Sequence, residues 1–528
     1  MRVPLAQLLS VFCTLFGAVS YGQISSIDAD RLDMEIAWQA QVQMPRAGRG
    51  IVSTHLWVDS SQIRKFAIVE LPGGRTLRVS ADQTDSRGAA IGIEEAKKQV
   101  GENAARLLGK NSGFEVVELA IPLVRLVFIT NDGLVQTFDA ESGAMLWSSP
   151  CGLATAPAHP GAVSAAGISV SHGRSLYLLD WNSGKQLMNK ELPVGSSVAL
   201  AVCNDLAYVT DFRGRLQAYG LGVTRKVWSS QIIGRAVGQP VSLADQTFCA
   251  IASTDGFVYV LTAGERPDIW TRYETASSIS GSLSAGNGAF YAGTGDGLLT
   301  KISVNDRVGA LDWDYPAGET ITAPALVVGQ RVLATTEAGA IHCIDDANGF
   351  GLWAKQGLRI EQPLAFVGNS FLCSTSSGEI YALDAETGTV KGRTSPSRIK
   401  STIKNQVNDR LYIVGENGRL QCLRGRGAIL PTMITPVVTN TAVPAEAAPT
   451  DAPPASTAPS QSNDPFNLND QAASAPATSA LDSGTADPFA ADPTADPFGT
   501  SDPMATPSPT ETPNAGGMTN PFGTDSPF

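Results

Sequence analysis

The sequence predicts an all-β fold: a β-propeller of about eight four-stranded blades, with a small α/β segment near the N-terminus and a disordered C-terminal tail. Three observations predict it. One short phrase recurs about every forty residues, its strands are apolar on both faces, and the composition changes abruptly near residue 435. A period of that length belongs to repeat architectures whose unit is one blade.

The phrase is clearest as Leu126-Val-Phe-Ile-Thr-Asn-Asp-Gly133-Leu-Val-Gln-Thr-Phe-Asp139-Ala-Glu-Ser-Gly143-Ala-Met-Leu-Trp147. Further copies are centred on Gly173, Gly214, Gly256, Gly297, Gly339, Gly378 and Gly418. Apolar runs of five or six residues meet at Asn-Asp-Gly, Thr-Asp-Gly, Gly-Asp-Gly or Glu-Asn-Gly, which are hairpin signals because Gly and Asn tolerate positive φ. A second turn follows, as in Asp139–Gly143 and Asp384–Gly388, where the Asp side chain bonds back to its own backbone. Two residues after the repeat Gly stand Val135, Leu216, Val258, Leu299, Ile341, Ile380 and Leu420. Five residues after it stand Phe138, Tyr219, Leu261, Ile302, Ile344, Leu383 and Leu423. Even and odd offsets point to opposite faces, so these strands are buried on both sides, as in a blade between two neighbours. The phrase closes at Trp147, Met188, Trp228, Trp270, Trp313 and Trp353, side chains expected to pack between adjacent blades. Eight blades is the expectation and seven the alternative. The last blade is completed either by Ala428–Ile434 or, from the other end of the chain, by Ile36–Ala40.

The remaining segments are read in order. Residues 1–22 form an export signal: Arg2, an apolar stretch over Leu5–Val19, then small residues before Gln23. The apolar run is short for a spanning helix. Residues 23–113 hold the closing strand and a small α/β insertion, with strand-like segments at Ile51–Val58, Lys65–Leu71 and Thr76–Ser80 and a helix at Ile93–Leu108. The propeller spans 114–434 and the tail 435–528. Outside the export segment, Cys151, Cys203, Cys249, Cys343, Cys373 and Cys422 have no paired spacing, and most lie in apolar strands where a thiol acts as a small hydrophobe. The four histidines are far apart, so no metal site is expected.

The repeat resembles the pyrroloquinoline-quinone (PQQ) repeat, most closely in Asp255-Gly-Phe-Val-Tyr-Val-Leu261 and Gly378-Glu-Ile-Tyr-Ala-Leu-Asp-Ala-Glu-Thr-Gly388, over roughly 114–434. One branch of that family, the quinoprotein dehydrogenases, implies PQQ and Ca²⁺ on the propeller axis, an adjacent Cys-Cys pair, a catalytic Asp and a Glu/Asn calcium pair. This chain has no adjacent cysteines and no Asp or Glu assignable to those roles. The other branch is BamB-like, a non-enzymatic propeller of the bacterial outer-membrane assembly machine. The chain resembles it in blade number and departs from it in lacking a lipobox and in carrying a tail.

The tail is rich in Pro, Ala, Thr, Ser and Asp. It holds eleven Asp and Glu, and no Lys or Arg follows Arg426, so it carries nearly all of the net charge of −12. Such a composition buries too little apolar surface to fold. Within it Asp-Pro-Phe recurs at Phe466, Phe489 and Phe498, with looser copies ending at Phe522 and Phe528. These phenylalanines are the candidate partner-binding residues, repeated weak anchors that raise avidity. An acidic chain without a basic patch excludes nucleic acid. The expected function is an extracytoplasmic, non-enzymatic protein-interaction scaffold of the bacterial cell envelope, periplasmic or extracellular. It has no cofactor, no transmembrane segment after signal removal, and at most a peripheral membrane association through a partner. The alternative is a PQQ-dependent dehydrogenase-like or sugar-related propeller enzyme.

Overall fold

A computed structural model describes residues 23–434, apart from 46–49, 73–74, 110–112, 197, 223–225, 263–266, 282 and 305–310. The export segment expected at 1–22 and the tail from 435 lie outside the described residues.

Among the described residues there are eight antiparallel sheets, seven of four strands and one of five. In six of them four consecutive strands pair in chain order, and the eight sheets form the blades of a closed ring. Blade 4 is typical: Ala236–Ser242, Phe248–Ser253, Phe257–Thr262 and Ile269–Glu274 pair in that order. Every residue named above at two and five positions after the repeat Gly is no more than 2% exposed. The core therefore sits between blades. Val127, Ile129 and Val135 of blade 1 meet Ile168, Val170 and Leu179 of blade 2. Leu364, Leu372 and Ile380 of blade 7 meet Leu411, Ile413 and Leu423 of blade 8, and Tyr412, Val414 and Leu420 of blade 8 meet Leu126, Phe128 and Phe138 of blade 1.

The ring is closed by the N-terminal end. Helix α1 (Ser26–Arg31) leads into strand β1 (Met34–Gln41), which pairs antiparallel with Arg419–Gly425 as the outermost strand of blade 8. Pairing the first strand with the last blade ties the two ends of the described chain together. Of the two alternatives for the last strand, the N-terminal one is realised.

The tryptophans lock neighbouring blades. The indole N–H of Trp38 on β1 donates to Ala140 O at 3.1 Å, Trp147 to Trp181 O at 2.8 Å, Trp313 to Asp346 O at 2.8 Å and Trp353 to Ala385 O at 3.0 Å. Each acceptor lies in the Asp-x-x-x-Gly turn of the next blade. The ring then covers the turn's Gly: a Cβ at Gly143, which has φ +72°, would collide with Trp38, and one at Gly388, with φ +66°, would collide with Trp353. The outer strand of blade 7, Val390–Arg393, has no Trp, and the backbone of Arg31 at the end of α1 lies against its Gly392.

The domain boundary placed at residue 114 does not separate insertion from propeller. Strand β2 (Ile51–Leu71) runs unbroken through two of the expected segments. Its first half, Ile51–Asp59, pairs with Leu123–Thr130 of β4 (Val117–Thr130) and is the innermost strand of blade 1. Beyond a register shift, its second half continues past the blade, pairing with the start of β4 and with β3 (Arg75–Ser80). Alternation decides the faces of this extension. Ala67 and Val69 pack under helix α2 (Gly92–Leu108) through Ala96, Val100 and Ala104, while Phe66, Ile68 and Ile121 face the other way, with Leu430 packed on them.

Candidate functional site

Strand parity gives the ring two unlike faces. With four antiparallel strands per blade, the first-to-second and third-to-fourth connections lie on one face. The repeat-Gly hairpins and the blade-to-blade connections lie on the other. The first face carries the chain's additions over blades 8 and 1. The excursion between β2 and β4 leaves from it with α2, and residues 428–434 run across it. There Arg78 donates to Ile429 O at 3.0 Å and pairs with Glu141, and Ile434 N donates to Val407 O at 2.8 Å.

The hairpin face is built from short turns, and on blades 1 to 4 it exposes apolar side chains. Leu153 is 76% exposed, Phe212 54%, Ile233 43% and Val194 37%. Phe212 stands at the tip of the blade 3 hairpin, and Ile233 on the adjoining connection to blade 4. The Arg213 guanidinium lies 5.5 Å from the centroid of the Phe212 ring. Arg235 is exposed on the same connection as Ile233, and Arg174 on the blade 2 hairpin is 3.7 Å from Glu191. Among the described residues no carboxylate pairs with Arg213 or Arg235.

Both loops are held by their own backbones. The carboxylate of the buried Asp211 accepts from the amides of Arg213 at 2.8 Å and Arg215 at 3.0 Å. Ile232 N donates to Gly214 O at 2.9 Å, and Gln231 Nε2 to Arg213 O at 2.7 Å. Ile233 N donates to the Tyr259 hydroxyl at 2.8 Å, and Thr254 N to Arg235 O at 2.8 Å. An aromatic ring, an aliphatic side chain and two free guanidinium groups are thus presented in fixed places. Large apolar anchors beside arginine are the composition of protein-recognition surfaces, and fixed loops lower the entropy lost on docking.

The candidate residues Phe466, Phe489, Phe498, Phe522 and Phe528 lie outside the described residues. Sequence reasoning missed Phe212 and Ile233. The signal was present: where other copies place Asn-Asp, Ser-Ser or Glu-Asn before the repeat Gly, blade 3 places Asp211-Phe212-Arg213.

The interior offers little reactive chemistry. Burial pushes the thiols of Cys151 and Cys343 up to about 12, and Cys373 is raised further, so these are not nucleophiles at neutral pH. Burial lowers His55 to about 4, and its Nε2 is enclosed without a hydrogen-bond partner. Lys404 is lowered to about 8 by burial and donates to Ala325 O at 2.9 Å. An open groove of about 530 Å³ beside blade 7 contains Arg31 and Lys391, but these already pair with Asp28 and Asp384, each at 2.9 Å. The donor set does not fit PQQ with Ca²⁺. No two cysteines are adjacent in the chain, and among the described residues no three His, Cys, Asp or Glu side chains converge.

Ring, repeat and turn chemistry define a PQQ-like repeat β-propeller. A family model described as outer membrane protein assembly factor BamB matches residues 131–265 and 254–432, more than half of the chain, and the chain belongs to that family. No curated protein matches it. Among solved structures, BamB from Moraxella catarrhalis is similar at 16% identity and a TM-score of 0.46, covering 57% of this chain and 91% of that one. The computationally designed Ika8 protein is similar at 15% identity and 0.47, covering 56% and 92%. The C-terminal WD40 domain of Sif2 is similar at 11% identity and 0.44, covering 57% and 92%.

Proposed function

We propose that the chain is a non-enzymatic interaction scaffold of the bacterial cell envelope, exported by residues 1–22, whose hairpin face docks a protein partner. The exposed Phe212, held at a braced hairpin tip with Arg213 over its ring, carries the reading. Membership of a family described as an outer membrane protein assembly factor supports the envelope setting. Phe466, Phe489, Phe498, Phe522 and Phe528 serve as additional, weaker anchors on the tail. The contact on the face is apolar at Phe212 and Ile233 and cationic at Arg213 and Arg235, so the partner presents an apolar pocket rimmed by carboxylates.

The test is a crosslinked pull-down from envelope fractions with the wild type and with Phe212→Ala/Ile233→Ala. The substitutions replace exposed side chains, so the melting temperature should hold while the captured partner is lost. Recovery of the same partner at the same yield by both proteins would defeat the assignment of this face.

A further inference from the structure

We propose that Cys203 and Cys249 form a disulfide that staples blade 3 to blade 4 near the face opposite the hairpins.

Cys203 ends the innermost strand of blade 3, Ala201–Cys203, and Cys249 lies on the second strand of blade 4, Phe248–Ser253. Nothing in their separation along the chain suggests a pair; the ring brings them together. Ala201 and Cys203 share one face of blade 3, Cys249 and Ile251 share one face of blade 4, and all four belong to the same inter-blade cluster. The Sγ of Cys203 lies 3.8 Å from Leu261 O, and Leu261 is the direct cross-strand partner of Cys249. Both cysteines and Tyr208 thus lie in one layer between the two blades.

Burial also fixes when the bond forms. Both sulfurs are fully enclosed, and burial holds the Cys203 thiol well above its ordinary value. The thiolate is the reactive form, so the folded pair reacts slowly with an external oxidant. Oxidation belongs to folding, before blades 3 and 4 close. A small disulfide such as oxidised glutathione supplies the electrons' acceptor. One cysteine thiolate attacks it, forming a mixed disulfide and releasing one glutathione thiolate. The second cysteine thiolate then attacks the protein sulfur of that mixed disulfide, forming the Cys203–Cys249 bond and releasing the second glutathione. The two protons lost by the cysteines end on the two released thiols. Closed folding then shields the bond from reduction.

The inference rests on the export reading only for the oxidant found in the cell. The full chain is unfolded in denaturant with reductant and refolded either in a glutathione redox buffer or in reductant. Remaining thiols are alkylated in denaturant, and the peptides are mapped by mass. The expected result is one linked peptide pair joining Cys203 to Cys249, with Cys151, Cys343, Cys373 and Cys422 alkylated. The oxidised protein should melt higher than the reduced one, and Cys203→Ala/Cys249→Ala should abolish that difference. Alkylation of both cysteines after oxidative refolding, or a bond from either one to a different cysteine, overturns the proposal. Mapping the wild type needs no variant to fold. A crosslink formed on refolding but missing from protein drawn from cells would count against the envelope location and leave the pair standing.

Discussion

Trp313→Ala measures how much the inter-blade tryptophans hold the ring together. Trp313 is 7% exposed in the layer between blades 5 and 6, where it packs with Ile321, Val332 and Ile344. An enclosed indole removes roughly 150–250 Å² from water. At about 25 cal/mol/Å² that is about 4–6 kcal/mol, and large-to-small core substitutions of aromatic residues cost about 3–5 kcal/mol. The lost hydrogen bond adds little. The carbonyl of Asp346 keeps a second donor, Lys301 Nζ at 2.9 Å, while the Asp346 carboxylate stays bound by Lys301 at 3.0 Å, Tyr291 at 2.6 Å and Asn287 at 2.8 Å. The expected loss is therefore about 4 kcal/mol, read as a lower urea midpoint at unchanged slope by circular dichroism. Trp228 is only partly buried and serves as the internal control. Trp228→Ala should cost about half as much. A Trp313→Ala midpoint equal to that of Trp228→Ala would falsify the role assigned to inter-blade burial.

Three further outcomes are expected. His55 is held neutral, its folded value depressed to about 4 against an ordinary 6.5, so unfolding takes up a proton between those values. Stability should be full above pH 6.5 and fall as the pH drops toward 4, and His55→Gln should flatten that slope in a melting-temperature series. Gly388→Ala puts a Cβ both into a left-handed backbone and against Trp353, and should lower the unfolding free energy from urea titration by more than about 1 kcal/mol; an unchanged midpoint would show the indole free to move. Changing Phe466, Phe489 and Phe498 together to Ala should weaken partner capture far more than any single change while leaving the melting temperature alone. Equal capture by the triple variant would show these anchors idle.

Most of the ring was legible because each blade repeats the same local chemistry. The second and third strands of a blade meet at a Gly with positive φ, as at Gly133, Gly256 and Gly418, and carry apolar side chains to both faces, so their pattern is written in every copy. The innermost strands were hardest to see. Ala162–Ser164 and Ala201–Cys203 are three residues long and pair along one edge only, which leaves almost no periodicity to read. In blade 1 the difficulty is compounded. Strand β2 runs past the blade into the extension, and β3 and α2 intervene before β4 returns, so the chain that completes the blade looked like part of an insertion. The site was less legible for a different reason. Exposure of Phe212 depends on which face the hairpin tip occupies and on what else covers that face, both set by the closed ring.

The same ring geometry bears on the face proposed to bind. A blade begins and ends its four strands in fixed alternation, so a long excursion after the first strand emerges opposite the hairpins. The β2–β4 excursion obeys this rule, and the last described residues exit from the third strand of blade 8 on that same side. Among the described residues, the additions to the basic ring therefore accumulate on one face. The other keeps only short turns whose hydrogen bonds are internal, such as those of Asp211 to Arg213 and Arg215. Residues at such tips contribute little to the inter-blade layers. Phe212 is thus exposed and little held by packing, whereas Trp313 is buried between blades 5 and 6. The two classes of substitution should separate cleanly. Phe212→Ala should change partner capture at constant urea midpoint, and Trp313→Ala should change the midpoint while capture persists wherever the protein remains folded. A Phe212→Ala variant that unfolds as easily as Trp313→Ala would mean that the hairpin face is part of the core and not a surface held ready for a partner.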